Sequence, residues 1–380
     1  MADHLESPPP LTGILTFHCS DNFGAMLQAY GLKRFLREHG VPADIVRYAP
    51  FYMTGRHWWA AYRPGKGIRG RLWSVANMGV ELVQHLRIRR EFAAQRANMA
   101  RFRREHLIDL RQPLVRTPRG LRRLPYQTYV VGSDQIWNPA ITGGLRRVYF
   151  GGFESADKRR VVAYAASLGS SALPPEYDGA FAELVRHVDA VSLREKGAIP
   201  YVQRLYPGAV TAVVDPVFLL DPECWREVEV LPAEENYILV YGTEPNPRMS
   251  AYIRDLSRRT GLPVVELGTI RAAESARAER TAGPAEFLGY IRRAAYVVTN
   301  SFHAAAFSVL FEKRFLAFAH SQVNTRLSDM LRLHGLEDRL CQDGGDIDAP
   351  VDWEAVRHRT RTAAGESGAF LLGNLTGETP

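Results

Sequence analysis

Short apolar runs alternate along this chain with amphipathic segments, and polar or glycine-containing turns separate them. The first unit joins an apolar strand at 11–17, a polar loop at 18–25, a helix that Gly40 closes, and a second strand at 41–48. The same order recurs on both sides of an acidic stretch of weak periodicity at 221–236. Because strands that alternate with helices are typical of parallel sheets, the pattern predicts two α/β domains.

The domain boundaries follow from the same pattern. We expect a disordered tail at 1–10, a first domain at 11–230, a second domain at 231–340 and an extension at 341–380, weakly ordered from Gly365 onward. In open α/β sheets, ligands bind beyond the carboxyl ends of the strands. The cleft between the domains should therefore be lined by four strand-end loops, at 18–25, 132–138, 299–303 and 320–326.

The stretch at 296–318 reads as a strand, a tight turn, a short buried helix and a second strand. His303 lies at the start of that helix, whose free N–H groups favour an anion. An imidazole beside an anion suits an enzyme that transfers protons on a phosphate or carboxylate substrate. The alternative is a histidine that packs in the turn with both ring nitrogens hydrogen-bonded.

The loop at 132–138 follows a predicted strand directly. We expect five of its side chains to face the cleft: Ser133, Asp134, Gln135, Trp137 and Asn138. Trp137 could stack on a sugar to which Asn138 forms hydrogen bonds, and Asp134 is a candidate catalytic residue. The alternative places Asp134 as the cap of the turn and Trp137 in the core.

Other strand ends carry further candidates. Arg194 could bind a phosphate or carboxylate with two hydrogen bonds, or it could form a surface pair with its neighbour Glu195. Asp215, in an Asp-Pro turn, could orient a ligand hydroxyl or cap the turn. Four more residues lie in predicted strand-end loops of the same cleft: Asn22, Gly24, Asn324 and Arg326.

An insertion at 51–104 interleaves aromatic residues with arginines. One interpretation is a surface for lipid headgroups or a lipid-linked acceptor. The other, which we favour, is a solvated helical insertion, because charge runs usually form solvated faces.

Composition limits the possible architectures and sites but does not identify a function. The 380 residues exceed one ordinary core, and the formal charge of +7 permits anionic substrates, membranes or nucleic acid alike. Three widely spaced cysteines exclude a disulfide framework and a Cys-x-x-Cys metal site. With neither a signal peptide nor a transmembrane run in the sequence, we expect a cytoplasmic protein that could lie at the inner face of the membrane.

Taken together, the motifs resemble those of the polysaccharide pyruvyl transferase family. They occur in the family's order at 13–30, 132–138, 192–195, 214–216 and 300–303, and the likeness covers about 11–340. The resemblance implies a GT-B-like arrangement of two Rossmann-like domains with the site in the interdomain cleft. It also implies transfer of an enolpyruvate-derived group from phosphoenolpyruvate to sugar hydroxyls, which gives a pyruvate ketal.

The resemblance further implies individual roles. Arg194 matches an arginine that binds phosphoenolpyruvate, and His303 matches the catalytic histidine. Some members carry an arginine two residues before that histidine, where this chain has Ser301, and Arg326 is the nearest replacement. We expect no metal, no resident cofactor and no nucleic-acid partner, with phosphoenolpyruvate as co-substrate and a sugar or lipid-linked sugar as acceptor.

Two other functions are compatible with the sequence. The first is a GT-B-type glycosyltransferase, in which basic residues would hold the diphosphate of a nucleotide sugar. The second is a non-catalytic relative that binds a glycan.

Overall fold

Two parallel sheets of six strands form the framework of the computed structural model, which describes residues 11–54, 89–268, 276–319 and 325–376. The first sheet has the order β2-β1-β3-β4-β5-β6 and the second the order β12-β11-β10-β7-β8-β9. The strands are β1 (Thr12–Leu15), β2 (Ala43–Ile45), β3 (Thr128–Gly132), β4 (Arg160–Ala166), β5 (Ala190–Leu193), β6 (Val210–Ala212), β7 (Ile238–Tyr241), β8 (Val264–Leu267), β9 (Arg277–Glu279), β10 (Tyr296–Thr299), β11 (Arg314–Phe318) and β12 (Leu340–Cys341). The predicted α/β fold with two Rossmann-like domains is confirmed.

Helices cover both faces of each sheet, so the central strands are buried almost completely. The α-helices of the described residues are α1 (Phe23–Glu38), α2 (Phe51–Thr54), α3 (Arg89–Phe102), α4 (Pro139–Thr142), α5 (Asp178–Val185), α6 (Ile199–Leu205), α7 (Pro222–Arg226), α8 (Pro247–Thr260), α9 (Pro284–Arg293), α10 (Phe302–Leu310), α11 (Thr325–His334) and α12 (Trp353–Thr376). None of them is long and apolar enough to cross a bilayer.

The two domains meet at the start of α1. Asn22 caps this helix, since its side-chain oxygen accepts the Ala25 N–H at 3.0 Å. In the first turn, the Phe23 ring stacks on Phe287 of α9, with ring centroids 4.9 Å apart, and also contacts Tyr241 at the end of β7. The N-terminus of α1 is therefore anchored in the second domain, beside the carboxyl ends of that domain's strands.

Helix α3 also links the domains. Its Asn98 donates to the Thr281 carbonyl oxygen at 2.8 Å, and Arg101 pairs with Glu286 of α9. Just beyond the helix, Arg103 donates to the His18 carbonyl oxygen at 3.0 Å and to Asp21 at 2.8 Å. The central part of the predicted aromatic insertion, at 55–88, lies outside the described residues.

The last helix, α12, returns to the first domain. The Ser367 hydroxyl oxygen accepts the Val214 N–H at 3.0 Å, and Leu371 is fully buried. The prediction that the chain is weakly ordered from Gly365 onward was therefore wrong as far as Thr376. The apolar run before Asp215 predicts a short strand at 212–215, but β6 ends at Ala212 and Asp215 lies in the loop that follows.

Candidate active site

His303 lies where the prediction put it, in the first turn of α10 directly after β10. The Ser301 N–H donates to the Thr299 hydroxyl at 2.9 Å, which sets the turn between strand and helix. The imidazole is nearly buried, and its Nε2 atom lies 3.7 Å from Oδ2 of Asp215 in the first domain. At that distance the buried Nε2 atom has no hydrogen-bond partner among the described residues.

Asp215 is the hub of the site. Its Oδ2 atom accepts from Arg194 Nη1 at 2.6 Å and from the Ser133 hydroxyl at 3.3 Å, while Oδ1 accepts the Val217 N–H at 3.1 Å. Burial alone would raise the pKa of Asp215, but His303 and Arg194 together hold it well below its usual value. An ionised carboxylate thus lies between the arginine of its own domain and the histidine of the other.

Arg194 is buried with part of its hydrogen-bonding capacity unused. Nη1 is taken by Asp215, and the guanidinium lies 4.7 Å from the centroid of the Phe302 ring. Nε and Nη2 are buried and have no acceptor among the described residues. Unsatisfied buried donors on a cation are costly, so this geometry suits an anionic ligand that would accept from both nitrogens.

A second arginine, Arg326, reaches the same place from the start of α11. Its Nε lies 4.0 Å from Oε1 of Glu195. When the Gln135 amide is oriented with its oxygen toward Arg326, that oxygen accepts from Nη1 at 3.1 Å and from Nη2 at 3.3 Å. Burial and the nearby positive charge of Arg194 lower the pKa of Arg326. The guanidinium groups of the buried Arg194 and the partly exposed Arg326 repel each other, which favours a bound anion.

The sequence did not predict that Glu195 is buried in the site. A surface pair with Arg194 was the simpler interpretation. It is fully buried, and Oε1 accepts from the Ser167 hydroxyl and from the Gly169 N–H. Burial raises the pKa of Glu195, although both arginines act in the opposite direction. The signal that could have found it is the Ser-Leu-Gly turn after β4, which brings two donors to the end of the next strand.

Gly24 contacts the histidine rather than open space. A Cβ atom at this position would lie 2.0 Å from Nδ1 of His303, so only glycine leaves room for the ring. The neighbouring Asn22 is exposed, and its side-chain oxygen is used in the cap of α1. The loop at 18–25 therefore meets the catalytic candidate across the domain interface.

We expect Gly24→Ala to lower turnover at least about tenfold, because the new methyl group must displace the imidazole by more than an ångström. The midpoint of thermal unfolding should change little. Gly179, where a Cβ would meet nothing within 4 Å, offers the matched control, and Gly179→Ala should keep full activity. Normal turnover in Gly24→Ala would show that the position of the ring is unimportant.

Five other predicted residues have different surroundings. Ser133 is buried against Asp215, and Ser301 is nearly buried at the cap position of α10. Asp134 is half-buried, has a left-handed backbone with φ of 65°, and raises the pKa of Arg194 by its charge. Asn138 caps α4 by accepting the Ala140 N–H at 3.0 Å, and Asn324 lies outside the described residues.

The expectation that Trp137 stacks on a sugar is wrong. Its indole is fully buried, stacks on Phe150 with ring centroids 4.9 Å apart, and donates its N–H to the Tyr149 carbonyl oxygen at 2.8 Å. It therefore belongs to the core of the first domain and does not stack on a sugar. Its motif neighbours Ser133 and Gln135 do reach the site, where they contact Asp215 and Arg326.

Two polar groups near the site have other tasks. Asn300 accepts the Thr243 N–H at 2.7 Å and donates to the Glu244 carbonyl oxygen at 2.9 Å, which holds the loop after β7 beside the cleft. His18 is buried, and burial lowers its pKa to about 4.

Within the described ranges, no group of three or more His, Cys, Asp or Glu side chains is arranged to bind a metal ion.

Comparison with known proteins gives one family. The model of the family described as polysaccharide pyruvyl transferase matches residues 22–322. A search of curated protein sequences found no match.

Solved structures show only a distant likeness. UDP-GlcNAc 2-epimerase from Neisseria meningitidis is 8% identical, with 97% of this chain and 99% of that chain covered and a TM-score of 0.47. A putative UDP-N-acetylglucosamine 2-epimerase from Listeria monocytogenes is 10% identical, with 98% of each chain covered and a TM-score of 0.48. A UDP-glucosyltransferase from Polygonum tinctorium is 10% identical, with 99% and 100% covered and a TM-score of 0.44. Likenesses at this level carry no argument about function.

Proposed function

We propose that this chain, which belongs to the polysaccharide pyruvyl transferase family, transfers an enolpyruvate-derived group from phosphoenolpyruvate to hydroxyls of a sugar or glycan-like acceptor. The product is a pyruvate ketal. The observation that supports this most strongly is the pair of unused, buried donors on Arg194, with Arg326 close by and the free Nε2 atom of His303 on the other side of Asp215. Phosphoenolpyruvate is a small, compact anion with both a phosphate and a carboxylate, and it needs a proton on carbon.

Binding is assigned to the two arginines. Arg194 would donate from Nε and Nη2 to one anionic group of phosphoenolpyruvate, and Arg326 would bind the other. Arg326 would thereby take the role of the arginine that some members carry where this chain has Ser301. Its anchors, Glu195 and Gln135, belong to the first domain, so the second cation is positioned by contacts across the cleft.

Chemistry is assigned to His303. The protonated imidazole would donate its proton to the methylene carbon, which becomes a methyl group and leaves positive charge on the adjacent carbon. An acceptor hydroxyl then attacks that carbon and loses its proton, for which Asp134 is the candidate base. Phosphate leaves with the electrons of its bond to carbon and takes the proton from Asp134. A second hydroxyl then attacks the same carbon to close the ketal, and its proton returns to the neutral imidazole of His303.

Asp215 would act through its neighbours. It takes one N–H of Arg194, which fixes the guanidinium with its other donors directed away from the carboxylate. It also faces Nε2 of His303, so an ion pair forms across the domain interface when the ring is protonated. We therefore regard Asp215 as a positioning residue rather than a direct contact to substrate.

The test is phosphate release from phosphoenolpyruvate, measured with and without a panel of sugar acceptors. We expect acceptor-dependent release, together with an acceptor product heavier by one pyruvate less one water in mass spectrometry. Release that depends on a nucleotide sugar, with no use of phosphoenolpyruvate, would overturn the proposal in favour of a glycosyltransferase. Glycan binding without turnover of either donor would identify a non-catalytic relative.

A further inference from the structure

An exposed apolar cluster lies at the edge of the first sheet, away from the site described above. Six large hydrophobic side chains are exposed in the described part of the chain, and three of them belong to this cluster. The three are Phe51, 71% exposed, Leu110, 59% exposed, and Leu114, 47% exposed. Large apolar side chains that gather on a protein surface mark an interaction site more often than isolated ones do.

Backbone contacts hold this cluster together. The segment at 110–115 runs beside the chain that leaves β2: the Val115 N–H donates to the Arg47 carbonyl oxygen at 2.9 Å, and the Ala49 N–H donates to the Val115 carbonyl oxygen at 2.8 Å. Arg47 also donates to the Leu110 carbonyl oxygen at 3.0 Å. The short helix α2, which carries Phe51, follows directly. The cluster is thus built on ordered backbone.

Positive charge surrounds the cluster. From 111 to 123 the chain has five arginines and neither aspartate nor glutamate. Arg111 pairs with Asp109 and Arg122 with Glu154, but Arg116, Arg119 and Arg123 are exposed and form no ion pair within the described residues. The Arg116 guanidinium lies 5.0 Å from the centroid of the Phe51 ring, which joins the charged part of the surface to the apolar part.

We propose that this surface, the basic apolar face formed by Phe51, Leu110, Leu114, Arg116, Arg119 and Arg123, binds an anionic lipid bilayer. Phenylalanine and leucine side chains enter the boundary between headgroups and acyl chains, while arginines attract anionic headgroups. A symmetric dimer through this face would bring the unpaired arginines of two copies together. Nucleic acid would use the arginines but leave the three apolar side chains in water. The bilayer is the partner that satisfies both kinds of side chain.

The experiment is sedimentation of the full chain with vesicles of phosphatidylcholine, with and without roughly 30% phosphatidylglycerol, at about 0.1 M salt. We expect binding to the anionic vesicles and little to the neutral ones. The triple variant Arg116→Glu, Arg119→Glu, Arg123→Glu should lower that binding at least about tenfold. Phe51→Ser with Leu114→Ser should weaken it as well, and the loss should persist at higher salt because it is apolar.

The matched control is Arg254→Glu, Arg258→Glu, Arg361→Glu, which makes the same change in net charge at exposed arginines of α8 and α12. This control should keep most of the binding. Equal losses of vesicle binding in the two triple variants would show that only net charge matters, which would overturn the proposal. Absence of binding by the wild-type chain would overturn it too. So would selective loss of RNA binding by the first triple variant with vesicle binding unchanged. The readout is independent of turnover, so it stands or falls separately from the proposed reaction.

Discussion

Replacing His303 by asparagine is expected to lower turnover by about 10²–10⁴-fold, the usual contribution of a general acid, while the fold stays intact. Asparagine keeps the approximate size of the side chain and some hydrogen bonding, but it cannot deliver a proton to carbon. Affinity for phosphoenolpyruvate should change far less than turnover, because the proposed anion contacts come from Arg194 and Arg326. The measurement is single-turnover phosphate release together with calorimetric binding of phosphoenolpyruvate.

The control for this variant is His358→Asn, at an exposed position of α12, which should leave turnover unchanged. His18 does not offer a substitute proton donor, because burial lowers its pKa to about 4 and the ring is neutral near pH 7. Near-normal turnover in His303→Asn would therefore show that another group donates the proton, and Asp134 would be examined next.

Arg194→Ala should weaken phosphoenolpyruvate binding by about 1.5–3 kcal/mol, the value of a charged hydrogen bond, and should also destabilise the fold. The second effect arises because Asp215 is buried and would lose its closest cation. Breaking a buried ion pair by removing one partner typically costs about 3–5 kcal/mol. Urea unfolding and calorimetry measure the two effects separately.

The double variant Arg194→Ala with Asp215→Asn distinguishes binding from stability. Once the buried charge is gone, most of the lost stability should return, because asparagine can still accept the Val217 N–H. The affinity for phosphoenolpyruvate should stay low in both variants. Unchanged affinity in Arg194→Ala would remove this arginine from the donor site, whatever happens to the stability.

The same pair predicts a pH effect. The pKa of Asp215 is below its usual value in the folded state, so the ionised carboxylate contributes stability that is fully present above about pH 4 and is lost as the pH falls further. Without Arg194, the folded pKa should rise. The acid-induced unfolding of Arg194→Ala should therefore begin at a higher pH than that of the wild-type chain, and an identical acid limb would contradict the pairing.

Local pattern sufficed for some of these features. The alternation of strands, loops and helices predicted both sheets, and His303 and Arg194 were recognisable because each follows a buried strand. Contacts between residues far apart in the chain could not be predicted this way. Nothing in the segment around Gly24 indicates that its missing Cβ makes room for His303, and nothing around Asp215 indicates that it lies between the domains.

The errors have physical causes as well. Trp137 lies in a polar motif, and only the packing of Phe150 decides that its ring faces the core. Val213 and Val214 have high strand propensity, yet they are buried beyond the end of β6 and do not extend it. In α12, tertiary packing overrides three glycines, and Gly368 is needed because a Cβ would lie 2.8 Å from the Phe35 ring.

The return of α12 to the first domain affects how the protein can form during synthesis. Val214 donates to Ser367, which is far later in the chain, and the next residue is Asp215. A nascent chain that has emerged only as far as residue 352 can form both sheets, but the apolar groove that α12 fills is still open to water. The backbone next to Asp215 then lacks the hydrogen bond from the Val214 N–H to Ser367. The ribosome must therefore release α12 before the first domain is complete, and a fragment cut between the two sheets would lack the helix that closes its core.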